Sequence, residues 1–434
     1  MPGSINAIAQ EPVEGRSITP AADSGGQLRL LPIVLIFYAA LIPLEFRVEL
    51  LGQAFYAPRI AGFLALPWLL GQAASQASRF RLLDGAFLCG VLWMIVSFMV
   101  VYDVADGLVR GGALAIDAAL PYLAARFGIR SLTDLRRFLI LIAPGMMAAA
   151  AFLPIESFSR TFIVKPLAES VFGARQISGI ELPGAPASAG EVRLGLMRAT
   201  GGFSHPIIGG LFLAGMLPLF ITSRIKGWPK VAGVLACACA FFTVSSAAIL
   251  AFFMALGLLA FDYIQRRTTL LNWPLFILAG LFFMVLIEVA AGSGVTGVIG
   301  RLTFNPQTAF YRTLIWDYGT ASVLNHPFFG IGYEPYERAS WMPPSVDNQW
   351  LLLAIRHGLP AALPIFLVTV VAIAMTARQS GRHAEGDRRF LVGLAITLTI
   401  FMTAGFTVAF FGAVVPLFYI LLGAAVSIAS LGPD

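Results

Sequence analysis

Charge is scarce in this sequence. Only 12% of the 434 residues are Asp, Glu, Lys or Arg, against roughly a quarter in a soluble globular domain. That shortage, set beside 58% hydrophobic residues and a mean hydropathy of +0.83, excludes a water-soluble fold. Cysteine is scarcer still. Cys89, Cys237 and Cys239 all lie within apolar runs, which excludes a disulfide framework and a zinc pattern and predicts small buried hydrophobes. Short alternating segments, the mark of a membrane β-barrel, are missing as well. The first apolar run starts late, with a sparse basic lead-in and no small-residue cleavage site, so no cleaved signal peptide is expected. The formal net charge of +6 does not call for a nucleic-acid partner, because loop placement accounts for it.

What the chain does have is apolar runs near the ~20 residues that cross a bilayer. They predict an all-α polytopic membrane protein of about 12 transmembrane helices. The spans fall near 28–44, 57–73, 83–101, 109–126, 135–154, 203–222, 228–244, 246–264, 272–292, 349–376, 388–407 and 409–430. Residues 1–27 read as a disordered cytoplasmic tail, and 28–434 as a single transmembrane catalytic domain without a visible internal repeat. Val231 to Ile264 would extend roughly 50 Å as one helix, too long for a ~30 Å core. A break is therefore expected at Thr243-Val244-Ser245-Ser246.

Basic residues support that break. Arg79 and Arg81, Arg126 to Arg137, Arg224 to Lys230, Arg266 with Arg267, and Arg378 to Arg389 occupy every second short loop. The positive-inside rule puts those loops and both termini in the cytoplasm. Two long segments, about 155–202 and 293–348, then become extracytoplasmic, and they hold most of the polar material. Asn305-Pro306 is a helix start. Phe310, Leu314 and Ile315 share one face of the helix that follows, which carries Arg312, either an interfacial arginine paired with Asp317 or a fork for phosphate oxygens. His326, before Pro327, reads as a turn residue or a ligand-facing donor. Pro327 to Gly332 reads as a turn, in which glycine permits close backbone approach to a ligand or merely a tight connection, with Tyr333 and Glu334 just beyond. Asp347 or Asn348 can cap the next helix, and Asp347 at the membrane edge can alternatively act as a general base. Arg356 lies two turns deeper, where an unpaired charge costs at least ~2.5–3.5 kcal/mol, so it is expected to face a polar cavity or a partner. The first outer loop ends with Arg193, Arg198 and His205-Pro206.

Three segments carry a resemblance. "MRATGGFSHPIIGG" (197–210), "YRTLIWDYGTASVLNHPFFGIGYE" (311–334) and "VDNQWLLLAIRHGLPAAL" (346–363) resemble motifs of the O-antigen ligase and polymerase superfamily, the Wzy- and WaaL-like bacterial membrane glycosyltransferases. The second segment is the specific one. The resemblance implies a GT-C-like helical fold in the bacterial inner membrane and no cofactor or metal. It also implies inverting transfer of glycan from an undecaprenyl-diphosphate carrier to an acceptor hydroxyl. By position it makes Arg198 and Arg312 the diphosphate-holding arginines and Asp347 the catalytic base, with Arg193, His205, His326, Tyr333, Glu334, Asn348 and Arg356 around the substrate. A chain-length regulator and a flippase of the same pathway are implied partners. Asp347 stands where the ligases carry the histidine of a His-Asn pair, a departure that fits an exopolysaccharide polymerase branch.

Asp is the weaker base, about 3.9 in pKa against about 6.5 for His, and nearby arginines would lower it further. A carboxylate still suffices where the acceptor proton leaves late in an oxocarbenium-like transition state. For metal, Asp103 and Asp106 in a short acidic loop are the only weak signal, and arginines can neutralise a departing diphosphate instead. Two other readings stay open. One is a ligase that moves finished glycan onto lipid A core. The other is a transporter, for which Asp117 and Pro121 inside a span are the best feature.

Overall fold

The computed structural model describes residues 24–50, 53–76, 79–173, 192–268, 270–290 and 306–430. The expected tail, 1–27, therefore lies outside the described residues except at its end, where α1 begins. Each apolar stretch of the sequence falls on a helix or on a broken pair of helices. The first half holds α1 (Ser24–Ala40), α2 (Ala57–Ser75), α3 (Leu82–Val101), α4 (Val104–Gly128), α5 (Leu132–Ser159) and the short α6 (Val164–Phe172). Two small antiparallel hairpins interrupt the helices, β1–β2 (Arg47–Leu50 with Gln53–Tyr56) and β3–β4 (Val192–Arg193 with Leu196–Met197). The second half holds α7 (Pro206–Gly215), α8 (Leu217–Thr222), α9 (Trp228–Ala238), α10 (Ser246–Gln265), α11 (Trp273–Ala290), α12 (Pro306–Asn325), α13 (Gln349–His357), α14 (Leu359–Ser380), α15 (Glu385–Ala404) and α16 (Val414–Ala429).

Among the described residues, six helices are long and apolar enough to cross a membrane: α3, α4, α5, α10, α11 and α14. The other expected spans are shorter, broken or more polar; α1, α7 with α8, α9 with its following turn, and α16 form apolar helices of 10–17 residues. The long run after Val231 does break where expected. A 3-10 turn ends at Thr243, whose Oγ1 donates to the carbonyl of Ala240 (2.8 Å), and Val244 takes a left-handed φ of 42° before α10 starts. The cysteines follow their helices unevenly. Cys237 is buried and Cys239 half-buried, but Cys89 lies on the outside of α3.

The basic loops converge on one face. Arg136, at the start of α5, ion-pairs with Asp387 and donates from Nε to the carbonyl of Ser223 (2.9 Å). Arg266 at the end of α10 pairs with Glu385 at the start of α15. Arg126 forms a fully buried pair with Asp84 at 2.9 Å, and Tyr122 donates to the same carboxylate. These links gather the loops that the charge pattern assigned to one side. On that half of the bundle helices pack closely: a Cβ at Gly423 of α16 would lie 2.2 Å from the Tyr122 carbonyl of α4.

At the opposite end, the turn from His326 to Gly332 clamps the junction between α13 and α14. The last carbonyls of a helix have no partner inside it. Here Ile331 donates to the carbonyl of Ile355 (2.8 Å), Gly332 to that of Arg356 (3.0 Å), and Leu359 returns a bond to Pro327 (2.8 Å). Gly330 and Gly332 have φ of 64° and 65°, and Gly358, which ends α13, has φ 78° and ψ 173°. That last conformation belongs almost solely to glycine. The glycines of this turn thus serve the tight connection: they let two backbones touch. A Cβ on Gly358 would stand 2.1 Å from the Phe328 carbonyl.

Gly358→Ala should therefore destabilise the protein by about 1–3 kcal/mol or more, lowering the thermal midpoint in detergent. Gly71→Ala, in a helix with nothing within 4 Å of the added carbon, serves as the control and should leave that midpoint unchanged or raised.

Candidate functional site

At the end of the bundle away from the basic loops lies a cavity of about 700 Å³. Its wall includes Arg193, Arg198, Arg312 and Arg356, one carboxylate (Asp347), and His205. The first two arginines come from the β3–β4 hairpin and the loop after it. Leu194 and Gly195 turn that hairpin with left-handed φ values of 53° and 79°. His205 caps α7: its Nδ1 accepts from the Ile207 amide at 3.1 Å. That bond needs a free lone pair on Nδ1, so the ring is neutral and carries its hydrogen on Nε2.

Arg312 is aimed by α12. Gly319 lies seven residues on, hence on the same helix face. A Cβ there would meet Leu351 of α13 at 2.6 Å, so the two helices cross closely at that level. Two turns earlier, Arg312 faces the region just before α13, where Asp347 sits. Arg312 is mostly buried, and among the described residues its Nε has no hydrogen-bond partner. Asp347 is fixed from the other side. Asn348 is the residue that caps α13, accepting from Leu351 at 3.0 Å. Gln349 donates from its amide to Gly405 (2.7 Å) and accepts from Phe410 (2.8 Å). The indole of Trp350 reaches the carbonyl of Met402 (3.0 Å). The start of α13 is thereby tied to the end of α15 and the loop after it.

Burial raises the pKa of Asp347 above the ordinary carboxylate value, and the Arg312 charge opposes that shift without cancelling it. This reverses the sequence-based expectation that arginines would lower it: desolvation of the charged form outweighs the attraction. Burial likewise lowers the pKa of the Arg312 guanidinium, with Asp347 opposing. Asp347, not Asp317, is the carboxylate acting on Arg312.

The remaining candidates are elsewhere. His326 is exposed at the end of α12, and Glu334 is exposed in the loop beyond the glycine turn. Asn348 is buried as the cap, with its Nδ2 lacking a partner among the described residues. Tyr333 lines an adjoining cavity of about 380 Å³, which shares Leu352, Arg356, Phe410 and Phe411 with the first. The Arg356 guanidinium lies over the Tyr333 ring at 5.0 Å, so this arginine forms part of the partition between the two spaces. In the smaller cavity Asp117 meets Arg59 in a two-pronged ion pair, at 2.9 and 2.6 Å. That pairing explains a carboxylate at this depth without assigning it a transport role. Asp103 caps α4 and Asp106 pairs with Arg110, and among the described residues no three His, Cys, Asp or Glu side chains are grouped to hold a metal ion.

Sequence reasoning missed Ser245, Ser246, Phe410 and Phe411 in the cavity wall. The serines were within reach, since they form the helix break already inferred; nothing local marks the phenylalanines.

A hollow with four arginines and one carboxylate in its wall has the donors and the charge to receive a multiply charged oxyanion. Residues 231–367 match the family model described as O-antigen ligase, Wzy_C. The match spans α9 to the first part of α14 and contains Arg312, Asp347 and Arg356; Arg193, Arg198 and His205 lie before it. The match covers about a third of the chain and supports placing this region with the O-antigen ligase/polymerase superfamily. No curated protein matches the chain.

If Arg312 grips paired oxygens, Arg312→Lys keeps the charge but loses the fork. The expected result is a roughly 10- to 100-fold weaker affinity for a diphosphate ligand, in keeping with ~1.5–3 kcal/mol for a hydrogen bond to a charged group, with little change in thermal stability. Titration of detergent-solubilised protein with inorganic pyrophosphate measures it.

Proposed function

We propose that the protein is an inverting, metal-independent glycosyltransferase that polymerises undecaprenyl-diphosphate-linked oligosaccharide repeat units. It works on the outer side of the bacterial inner membrane, with the basic loops and both termini in the cytoplasm. The observation that carries the reading is a single hollow lined by Arg198, Arg312 and Asp347, three residues drawn from distant parts of the chain.

In this mechanism the arginines receive the diphosphate, and their charges neutralise it as it departs. The acceptor hydroxyl attacks the anomeric carbon from the face opposite the leaving group. The new C–O bond forms as the bond to the phosphate oxygen breaks, and the lipid diphosphate leaves with the electron pair. Asp347 takes the hydroxyl proton. A partly desolvated carboxylate with a raised pKa is a stronger base than a free one, which suits this step. Donors fixed in advance around a low-dielectric site stabilise the developing charge without reorganising. Arg356 and the adjoining cavity offer room for sugar units next to the reacting carbon. The aspartate in place of the ligases' histidine favours polymerase over ligase. On this reading a deletion strain accumulates single lipid-linked repeats; long unattached chains would instead mark a ligase.

Asp347→Asn keeps size and shape but removes the base. Transfer from a defined lipid-linked oligosaccharide should fall about 10²- to 10⁴-fold. Near-normal polymer from that variant would eliminate the assignment. Asp347 must be ionised to accept a proton, and its pKa is raised. Activity should therefore fall as pH drops through a midpoint above the free-carboxylate value of about 3.9, and this acid limb should be absent from the residual rate of Asp347→Asn. Full activity in EDTA is expected, and inhibition reversed by one divalent ion would overturn metal independence.

A further inference from the structure

Glu156 is completely buried near the end of α5, and sequence reasoning gave it no role. Its two carboxylate oxygens accept four backbone hydrogen bonds. Oε1 takes the amides of Ile163 and Val164 at 2.9 and 3.1 Å. Oε2 takes those of Thr200 and Gly201 at 3.1 and 2.8 Å. The neighbouring Ser157 donates from Oγ to the carbonyl of Met197 at 2.9 Å. Between these anchors, Ala199 donates its amide to the carbonyl of Phe242 (3.2 Å), just before the helix break that lines the cavity. Gly201 has a left-handed φ of 53°.

The result is a backbone held on both sides of one residue. The carbonyl before Arg198 and the three amides after it are all engaged, and two of the three amides go to Glu156. Burying a carboxylate costs several kcal/mol unless its lone pairs are filled, and here four N–H groups fill them. A neutral side chain would close a helix end more cheaply. A charged one that binds two separate segments holds a loop rigidly.

We infer that Glu156 is the positioning residue for Arg198: by fixing the backbone from Met197 to Gly201 it sets where that guanidinium enters the cavity, with Ser157 as its assistant. The inference rests on the diphosphate reading of the site, because it assigns Arg198 a ligand to meet.

Glu156→Gln is nearly isosteric but places an NH₂ group against two amide donors, so one of the two segments comes loose. Hydrogen exchange should quicken at the amides of 199–201, while the thermal midpoint of the bundle changes little. Affinity for inorganic pyrophosphate should drop, and the rate of glycan transfer should fall by up to about 100-fold, the scale of a 1 Å misplacement. The deciding measurement is coupling. On an Arg198→Ala background, Glu156→Gln should weaken pyrophosphate binding no further. Additive losses in the double variant would sink the inference, as would faster exchange at 199–201 with binding unchanged. If Glu156→Gln does not fold, Ser157→Ala, which removes only the Met197 contact, is put through the same cycle with the same outcomes decisive. Failure of the unaltered protein to bind pyrophosphate would take away the task of Arg198 and this inference with it. Failure of glycan transfer alone, with pyrophosphate binding and coupling intact, would tell against the polymerase reading only.

Discussion

Backbone groups inside a membrane protein must find partners in the protein itself, and the site depends on how one break in a helix meets that demand. At Gly358 the chain leaves α13 and restarts as α14. The carbonyls stranded at the end of α13 are taken up by Ile331 and Gly332 from the glycine turn. Because the turn is held there, α13 is held there. Asp347 stands at one end of this nine-residue helix and Arg356 near the other. Both reach the cavity because the short helix is fixed at its two ends, by the turn below and by Gln349 and Trp350 above.

Electrostatics then follows from burial. Four arginines in one wall repel each other, and a single carboxylate among them is too little to balance them. Such a surface is stable only where solvent reaches it or where an anion comes to it. The same partial burial that unsettles the cations raises the pKa of Asp347. On the function proposed above, that loss of water makes Asp347 the stronger proton acceptor and leaves Arg312 in need of an anionic partner.

Much of the helical plan was legible in the sequence. Run length located the helices, and the charge alternation grouped loops that prove to be joined by Arg136–Asp387 and Arg266–Glu385. The break at Val244 was legible too, because a helix cannot exceed the thickness it has to cross. Other expectations met physics that a linear pattern does not carry. Of the spans expected, six fall on described helices that are by themselves long and apolar enough to cross a membrane, and others fall on shorter or broken apolar helices. Of the two readings open for the glycine turn, the tight connection is the one its hydrogen bonds to the end of α13 match. The pKa of Asp347 moved opposite to expectation because burial is a property of the packed chain.

The sequence by itself determined the apolar helices, their breaks, and the set of polar residues available on one side, because hydropathy and turn chemistry act over a few neighbouring residues. Only the tertiary structure decided which of those residues share a cavity. Arg198, Arg312 and Asp347 come together through the packing of α12 on α13 and the hydrogen bonds that tie the backbone beside Arg198 to α5, while His326 and Glu334, equally polar and as near in sequence, are left outside that cavity. Proximity across more than a hundred residues is set by helix packing and buried hydrogen bonds, and no local pattern encodes it.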